Sequence, residues 1–342
     1  MRIGVVGAGR MGADHARVAA ELEQVHEVVI ADQDADRALD VAASCAGGRV
    51  GTVSQMLSGE VDALIVAAPT PLHAALITDA CEAGIPVLCE KPLAHSLDAA
   101  WDVVRAAERT GMHVQIGFQR RYDTGFRAAR RALHDGDVGE LLMVKAGTHD
   151  PAPPPLAYLR DSGGVFRDML IHDFDALRYV TGEDVVSVQT TGAVLVDDEI
   201  GRMGDADTVI VTMQLRSGAL AILTGCRLDP RGYDVRMELF GTRDSVAVGV
   251  DARVPLRSLE ADGVLRADQP GWDFFLDRFA AAYRAELAAF VGSVAAGSGP
   301  DEDACTARDG LEAMLLAEAA TRSFTSGARV SVDAVREEVY AV

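Results

Sequence analysis

The chain has 342 residues, of which 49% are hydrophobic and 25% are charged. This length and this balance indicate a soluble globular protein of about two domains. The formal net charge of −20 and the pI near 4.7 argue against nucleic acid or an anionic membrane as a partner, because both are themselves negatively charged.

The five cysteines are scattered, and none forms a CxxC pair. This usage indicates neither a disulfide framework nor a zinc site, and outside His172 and Asp173 no metal-ligand cluster is evident. Met1 leads directly into a strand-like segment, so we expect no signal peptide. No apolar run approaches the roughly 20 residues that cross a bilayer. We therefore expect a cytoplasmic protein in a reducing compartment, without a metal.

A glycine-rich turn directly follows the first predicted strand, residues 2–6, and precedes a helix that is predicted to end near residue 22. In such a turn the first glycine permits the tight bend, the second lets the backbone approach a pyrophosphate, and the third allows close packing of helix on strand. A second apolar strand, 27–32, ends in an acid twenty residues after the last glycine. The pattern predicts a dinucleotide-binding Rossmann domain, and its residues are Gly7, Ala8, Gly9, Arg10, Met11, Gly12 and Asp32.

Asp32 predicts NAD rather than NADP as the cofactor. A carboxylate at this position accepts hydrogen bonds from the adenosine ribose and repels a 2′-phosphate. No arginine follows it immediately to receive that phosphate. The alternative is a plain surface aspartate after a strand.

Strands predicted over 61–67 and 86–90, with a helix over 74–83 between them, continue the α/β alternation. Ligands of an open parallel sheet bind outside the carboxyl ends of its strands. We therefore expect the loops after these two strands to border the cofactor, through Ala68, Pro69, Thr70, His73, Glu90 and Lys91.

Two residues of these loops have further possible roles. His73 either touches the cofactor or caps the following helix, and the sequence leaves both open. The ammonium of Lys91 is suited to stabilise an alkoxide that develops on an alcohol substrate. Pro92 after it is a candidate for a cis bond.

The stretch from Gly163 to Gly182 has an apolar helical pattern that ends at a glycine, which is typical of a helix C-terminus. Asp168 and His172 lie four residues apart, so a single helix places them on one face. A carboxylate beside an imidazole is suited to general acid–base chemistry. On spacing alone, however, a solvated Asp–His pair on a surface helix is a more common explanation of this pattern than an acid–base site.

Beyond residue 120 the pattern predicts helix 123–134, strand 141–148 and a proline-rich loop, 150–155. Successive strands with tight turns then predict an antiparallel meander. They cover 185–194, 207–215, 219–225, 233–241 and 245–250, and helices over 272–294 and 303–323 and a strand over 329–332 follow. The predicted fold is an N-terminal α/β Rossmann domain, 1–120, and an α+β domain, 121–342, whose large, mainly antiparallel open sheet has helices on one face.

Several motifs together resemble the Gfo/Idh/MocA oxidoreductases. They are GAGRMG, EKPL after a strand, GFQRRYD at 117–123 and GGVFRDMLIHDFD at 163–175. HDPAPPP at 149–155 and GYDVRMELFG at 232–241 narrow the resemblance to the inositol 2-dehydrogenase branch. The likeness extends over essentially the whole chain.

The resemblance implies a catalytic set of Lys91, Asp168 and His172. His172 is expected to be the base that takes a hydroxyl proton while hydride passes to the nicotinamide. Lys91 is expected to polarise the substrate oxygen, and Asp168 to orient the site and bind a neighbouring hydroxyl.

Further site residues are expected around this set. Gln119 is placed near the nicotinamide, and Arg120, Asp150 and Tyr233 are placed with Lys91, Asp168 and His172 at the substrate. A solvent-exposed turn is an equally good interpretation of Asp150. Tyr283 resembles a substrate-side tyrosine of the family, although a core aromatic is the stronger interpretation.

The expected function is the NAD-dependent oxidation of a ring hydroxyl of a cyclitol, namely myo-inositol to 2-keto-myo-inositol (scyllo-inosose). Two departures from the family pattern, Gln119 and the segment 226–231, leave another inositol isomer, an aminocyclitol or a hexose as alternatives. A regulator that senses NAD without turnover is an alternative of another class. The resemblance also implies a homo-oligomer, commonly a tetramer that pairs through the free face of the second sheet.

Overall fold

The computed structural model describes residues 1–260, 262–263 and 270–341. Within this part of the chain, no helix combines the length and the apolar character that crossing a membrane requires.

The described residues form two compact units. The first contains Met1–Tyr122 and Ala281–Glu312, and the second contains Asp123–Ala280 and Ala313–Ala341. The first division falls two residues from the predicted boundary at 120, whereas the return of 281–312 to the first unit was not predicted.

The return has a packing cause. Leu287, Phe290 and Val291 are fully buried in one hydrophobic cluster with Ile3 and Val5 of the first strand. Burial of apolar side chains of this size stabilises by roughly 1.5–3 kcal/mol each. The pattern of a single helix does not reveal which core its apolar face covers.

Six parallel strands form the sheet of the first unit. They are β1 (Arg2–Val6), β2 (Glu27–Ala31), β3 (Gly48–Val50), β4 (Ala63–Val66), β5 (Val87–Glu90) and β6 (Val114–Gly117). Their order, β3-β2-β1-β4-β5-β6, reverses direction between β1 and β4. Ligands of this fold bind at such a switch point, beside the carboxyl ends of the strands.

Helices alternate with these strands. They are α1 (Arg10–Ala20), α2 (Ala35–Ser44), the short α3 (Val53–Gln55), α4 (His73–Ala83) and α5 (Leu97–Thr110). β1, β2 and β4 are apolar and buried almost throughout, as expected for parallel strands that are covered on both faces. The Rossmann fold predicted for this part of the chain is confirmed.

The sheet of the second unit has seven strands. They are β7 (Leu141–His149), β8 (Val185–Ala193), β9 (Thr208–Leu215), β10 (Leu220–Cys226), β11 (Asp234–Gly241), β12 (Ser245–Val248) and β13 (Val330–Ser331). The order is β12-β11-β7-β10-β9-β8-β13. The predicted meander is present in β8, β9 and β10, but β7 inserts between β10 and β11 and runs parallel to β10. The sheet is therefore mixed and mainly antiparallel.

The remaining helices are α6 (Thr124–His134), α7 (Leu156–Leu159), α8 (Gly164–Asp168), α9 (Ile171–Thr181), α10 (Asp198–Arg202), α11 (Phe275–Ala295), α12 (Ala307–Ser326) and α13 (Val332–Tyr340). In the second unit, α9 packs against α6 and β7. β9 alternates strictly between buried and exposed residues, so one face of the sheet is covered and the other is open. The terminal helix α13 was not predicted.

Candidate functional site

The turn between β1 and α1 has the geometry of a pyrophosphate cradle. Gly7 has φ +97°, and a Cβ there would lie 2.5 Å from the carbonyl oxygen of Ala67. A Cβ on Gly12 would lie 1.8 Å from the Gly7 oxygen. A Cβ on Gly9, by contrast, would meet no heavy atom of the described residues within 4 Å. There is therefore no room for a side chain at Gly7 or Gly12, whereas the space beside Gly9 is open. This arrangement fits the approach of a dinucleotide to the start of α1.

Asp32 supports this turn. Its Oδ2 accepts a hydrogen bond from the backbone N–H of Ala8 at 2.6 Å, and its Oδ1 accepts one from Asp34 at 2.8 Å. Burial opposes the ionisation of Asp32, but these backbone donors and the guanidinium of Arg37 outweigh it and hold the pKa of the carboxyl below its ordinary value. The carboxylate is thus charged and oriented, as recognition of a ribose diol requires.

We expect Asp32→Ala to weaken NAD binding by roughly 10- to 100-fold, the loss typical of hydrogen bonds to a charged group. Binding of NADP should fall less, because the substitution also removes a repulsion of its 2′-phosphate. Fluorescence titrations with both cofactors would measure this. Asp40→Ala, which removes an exposed acid of α2, is the matched control. Equal losses for the two cofactors would place the discrimination elsewhere.

The loops after β4 and β5 are tied together by His73. Its side chain is buried, with Nδ1 2.8 Å from the carbonyl oxygen of Pro92 and Nε2 2.8 Å from that of Ala68. The ring therefore bridges the two loops and does not cap α4. The bond between Lys91 and Pro92 is cis.

Glu90, which precedes Lys91, contacts a second buried histidine. Its Oε1 lies 2.7 Å from Nε2 of His15 on α1, and the ring of Tyr283 packs edge-on against His15. Glu90 and Tyr283 are thus part of the packing around the Lys91 loop. This agrees with the interpretation of Tyr283 as a core aromatic.

Gln119 and Arg120 lie on a short 3-10 helix, Gln119–Tyr122, directly after β6. Both side chains are buried. The Oε1 atom of Gln119 has no hydrogen-bond partner among the described residues. A buried polar atom of this kind needs a partner, and a ligand amide would supply one.

In the second unit, Asp168 and His172 do not lie on one continuous helix as predicted. α8 ends at Asp168 and α9 begins at Ile171, because the N–H groups of Met169 and Leu170 both return to the oxygen of Val165.

The residues at this break, Met169, Leu170 and Ile171, are all buried. The sequence pattern was correct about α9 and its end, since Gly182 adopts φ +67° there.

Two donors, one for each carboxylate oxygen, hold Asp168 in place. The hydroxyl of Tyr158 donates to Oδ1 at 2.7 Å, and Nη1 of Arg227 donates to Oδ2 at 3.3 Å. Neither donor was predicted from the sequence. Tyr158 lies in the short helix α7 without a motif, and Arg227 was noted only as part of a departure from the family pattern.

Asp150 and Tyr233 lie near the end of β7, since Asp150 follows its last residue and Tyr233 precedes Asp234, which pairs with His149. Asp150 is joined by its backbone to the segment 226–231, since its N–H donates to the oxygen of Cys226 and its oxygen accepts from Asp229. The ring of Tyr233 is buried and packs against Phe274 and Phe279, which are surroundings typical of a core residue. His172 is partly buried in the first turn of α9.

His149, Asp229 and Asp234 bring their ligand atoms within 4.8 Å of one another. This group was not predicted from the sequence. Both oxygens of Asp234, however, accept hydrogen bonds from Nε of Arg236, at 2.9 and 3.1 Å. A carboxylate that is already neutralised by a guanidinium is a poor ligand for a cation, so the cluster fits a charge network better than a metal site.

Comparison with known proteins agrees with both units. A family model described as an oxidoreductase family with an NAD-binding Rossmann fold matches residues 1–118, and one described as the GFO/IDH/MocA C-terminal domain matches residues 126–247. The chain is 37% identical to an inositol 2-dehydrogenase of Rhizobium meliloti, over 97% of this chain and 99% of that protein. It is 39% identical to a myo-inositol dehydrogenase of Streptomyces leeuwenhoekii, over 96% and 98% of the two chains.

A solved structure of a scyllo-inositol dehydrogenase from Lactobacillus casei, with bound NAD(H) and scyllo-inositol, matches with a TM-score of 0.86 at 28% identity. The match extends over 97% of this chain and 99% of that one. The predicted family, fold and cofactor are confirmed by these matches. The chain therefore belongs to the Gfo/Idh/MocA family and is an oxidoreductase with an NAD-binding Rossmann domain.

Proposed function

We propose that this protein is an NAD-dependent cyclitol dehydrogenase that oxidises the 2-hydroxyl of myo-inositol to the ketone scyllo-inosose. The observation that carries the proposal is a dinucleotide cradle that fits NAD, in a chain that aligns end to end with proteins named inositol dehydrogenases. Lys91, Asp168 and His172, the three residues that the family resemblance implies for catalysis, are all present.

We assign one role to each of these residues. His172 is the base that takes the proton of the reacting hydroxyl. Lys91 donates a hydrogen bond to the same oxygen and stabilises its developing negative charge. Asp168 accepts a hydrogen bond from a neighbouring hydroxyl and so orients the ring. NAD, when bound, supplies the hydride acceptor.

The cofactor set comprises Gly7, Ala8, Gly9, Arg10, Met11, Gly12 and Asp32, with Ala68, Pro69, Thr70, His73, Glu90, Lys91 and Gln119. On the substrate side we propose Arg120, Asp150 and Tyr233 beside the catalytic three. The packing of Tyr233 favours a supporting role, in which its ring fixes the start of β11. Asp150 is the better candidate for contact with a hydroxyl, because its backbone bonds to Cys226 and Asp229 hold it in place.

The proposal is tested by NADH formation with myo-inositol, scyllo-inositol, chiro-inositol, glucose and an aminocyclitol, each with NAD and with NADP. We expect turnover of myo-inositol with NAD. Turnover of another polyol alone would support the same oxidation of a hydroxyl but with a different substrate. The segment 226–231 would then be the candidate determinant of substrate specificity. NAD binding without turnover of any of these compounds would favour a sensor of NAD.

We also propose that the protein is a cytoplasmic homotetramer that assembles through the open face of the second sheet. This face exposes Ile210 and Leu220 between polar side chains such as Thr212 and Gln214. Exposed apolar side chains on a wide sheet face favour burial against another copy. Sedimentation of the purified protein would test the assembly, and a monomer at micromolar concentration would contradict it.

A further inference from the structure

We infer that Arg227 is a positioning residue for the oxidation. Its guanidinium holds the carboxylate of Asp168 in the orientation in which it binds the substrate. The inference rests on the proposed function, since it gives Asp168 the role assigned above.

Arg227 is placed to do this by its burial and its contacts. Its side chain is 0% exposed, at the point where the chain leaves β10. Nη1 lies 3.3 Å from Oδ2 of Asp168, and Nη2 lies 3.8 Å from Oδ2 of Asp205. The backbone N–H of Arg227 donates to the oxygen of Asp207 at 2.8 Å. Both the backbone and the side chain are therefore anchored.

The two carboxylates that share this guanidinium lie at opposite ends of α8, Asp205 as a contact of its first turn and Asp168 as its last residue. Asp205 accepts a hydrogen bond at 3.0 Å from the backbone N–H of Val165. Arg227 and Asp205 thus bracket a helix of five residues, which is too short to hold its own geometry. The pair therefore contacts both ends of α8 and helps to hold the helix from which the Asp168 side chain emerges.

The backbone segment that accepts the hydrogen bond from Arg227 is itself held in place by Asp207. Asp207 accepts hydrogen bonds through its carboxylate from the N–H groups of Leu195, Val196 and Asp197. Burial opposes the ionisation of Asp207, but these donors outweigh it and hold its pKa below the ordinary value. The residue that anchors the backbone of Arg227 is therefore itself rigidly held.

Charge explains why arginine is required here. Asp168 and Asp205 are both largely buried, with side chains 10% and 14% exposed, so each needs a compensating partner. A planar guanidinium can serve two carboxylates at once, whereas an ammonium is a point donor. Without Arg227, Oδ2 of Asp168 would lose its guanidinium donor, while Tyr158 would still donate to Oδ1.

A purely structural role for Arg227 is the competing explanation, because loss of a buried cation destabilises a fold on its own. The two roles differ in their dependence on Asp168. If Arg227 acts through Asp168, its removal should cost little activity in a variant that already lacks the Asp168 carboxylate. If it only supports the fold, the two losses should add.

The test is a double-mutant cycle of Arg227→Met and Asp168→Asn in the full-length protein, with kcat/KM for the best polyol of the panel and the affinity for NAD measured for each variant. We expect Arg227→Met to lower kcat/KM about 10- to 100-fold, the size of effect that a small misplacement of a catalytic group produces. NAD affinity should stay near the wild-type value. In the Asp168→Asn background, Arg227→Met should lower kcat/KM less than about threefold, because the carboxylate through which Arg227 acts is already missing. Independent effects on kcat/KM would instead multiply.

Arg167→Met is the matched control. Arg167 is adjacent to Asp168 in the chain and partly buried, but its guanidinium pairs with Glu318. This variant should lose stability without a comparable loss of kcat/KM.

Arg227→Lys keeps the charge and loses the planar fork, so we expect it to fold and to lose about tenfold in kcat/KM. If Arg227→Met does not fold, Arg227→Lys takes its place in the cycle. Wild-type kcat/KM for Arg227→Lys, or a loss that multiplies with that of Asp168→Asn, would overturn the positioning role. Wild-type activity of Asp168→Asn would instead contradict the role of Asp168 in the proposed function.

Discussion

His172→Ala is expected to lower kcat for polyol oxidation by about two to four orders of magnitude, the usual contribution of a positioned general base. The reason is that an imidazole takes up a proton near neutral pH, and no other residue is assigned that step. The affinity for NAD should stay near the wild-type value, because His172 is assigned to the reacting hydroxyl and not to the dinucleotide cradle. Steady-state rates and a cofactor titration of the same preparation would measure both.

His134→Ala is the control for this prediction. His134 is an exposed histidine at the end of α6 in the same unit, and its removal should leave kcat nearly unchanged. If His172→Ala retains more than about a tenth of the wild-type kcat, the base must be another group. A parallel loss of NAD affinity would indicate that the substitution damages the fold.

The cofactor-binding residues could be predicted from the sequence because the contacts that position them are local. Gly7 and Gly12 are required by contacts with residues near them in the chain or on the adjacent strand, and such requirements appear as fixed spacings. Asp32 follows β2 at the spacing of the fingerprint and reaches the turn through Ala8. The predicted bounds of β1, β2, β4, β5 and α4 and the predicted end of α1 lie within about two residues of the observed ones, whereas α2, β3, α5 and β6 were not predicted.

The substrate-site residues could be predicted only in part, because the contacts that position them join segments that are distant in the chain. Tyr158 and Arg227 reach Asp168 from a short helix and from the end of a central strand, and neither approach leaves a periodic signal. The break between α8 and α9 was not predicted either, because the apolar residues Met169 to Ile171 fit the pattern of one continuous helix. The family resemblance identified Asp168 but not what holds it.

The placement of β7 shows the same limit at the level of topology. The tight turn at 216–218 correctly indicated the hairpin of β9 and β10, whereas β8 and β9 pair across the longer connection 194–207. The parallel pairing of β7 with β10 joins Leu220 to Met143 across the chain, and no turn records it. The packing of Leu287 and Phe290 into the first unit is another long-range contact of this kind.

Two glycines of the turn between β1 and α1 are expected to differ in their effect on stability, although both substitutions should weaken NAD binding. Gly12→Ala should destabilise the protein by about 1–3 kcal/mol, the usual range for an overpacked site. Its Cβ would lie 1.8 Å from the backbone oxygen of Gly7, so α1 must move away from β1. NAD binding should be lost with the geometry of the turn. Urea denaturation without cofactor and a titration with NAD would measure the two effects.

Gly9→Ala should change stability by less than about 1 kcal/mol. Gly9 has φ −70°, which alanine adopts without strain, and its Cβ would meet no described atom within 4 Å. Its NAD affinity should nevertheless fall by at least about tenfold, because the methyl group occupies the space through which the pyrophosphate approaches the backbone.

Gly292→Ala provides the comparison for both substitutions. It adds a methyl group to α11 where no heavy atom of the described residues lies within 4 Å, so NAD affinity should be unchanged and stability equal or slightly higher. Wild-type NAD affinity in Gly9→Ala would show that the pyrophosphate does not approach the backbone at Gly9. Wild-type stability in Gly12→Ala would show that α1 can shift away from β1 at little cost, so that the glycine is required for the cofactor alone.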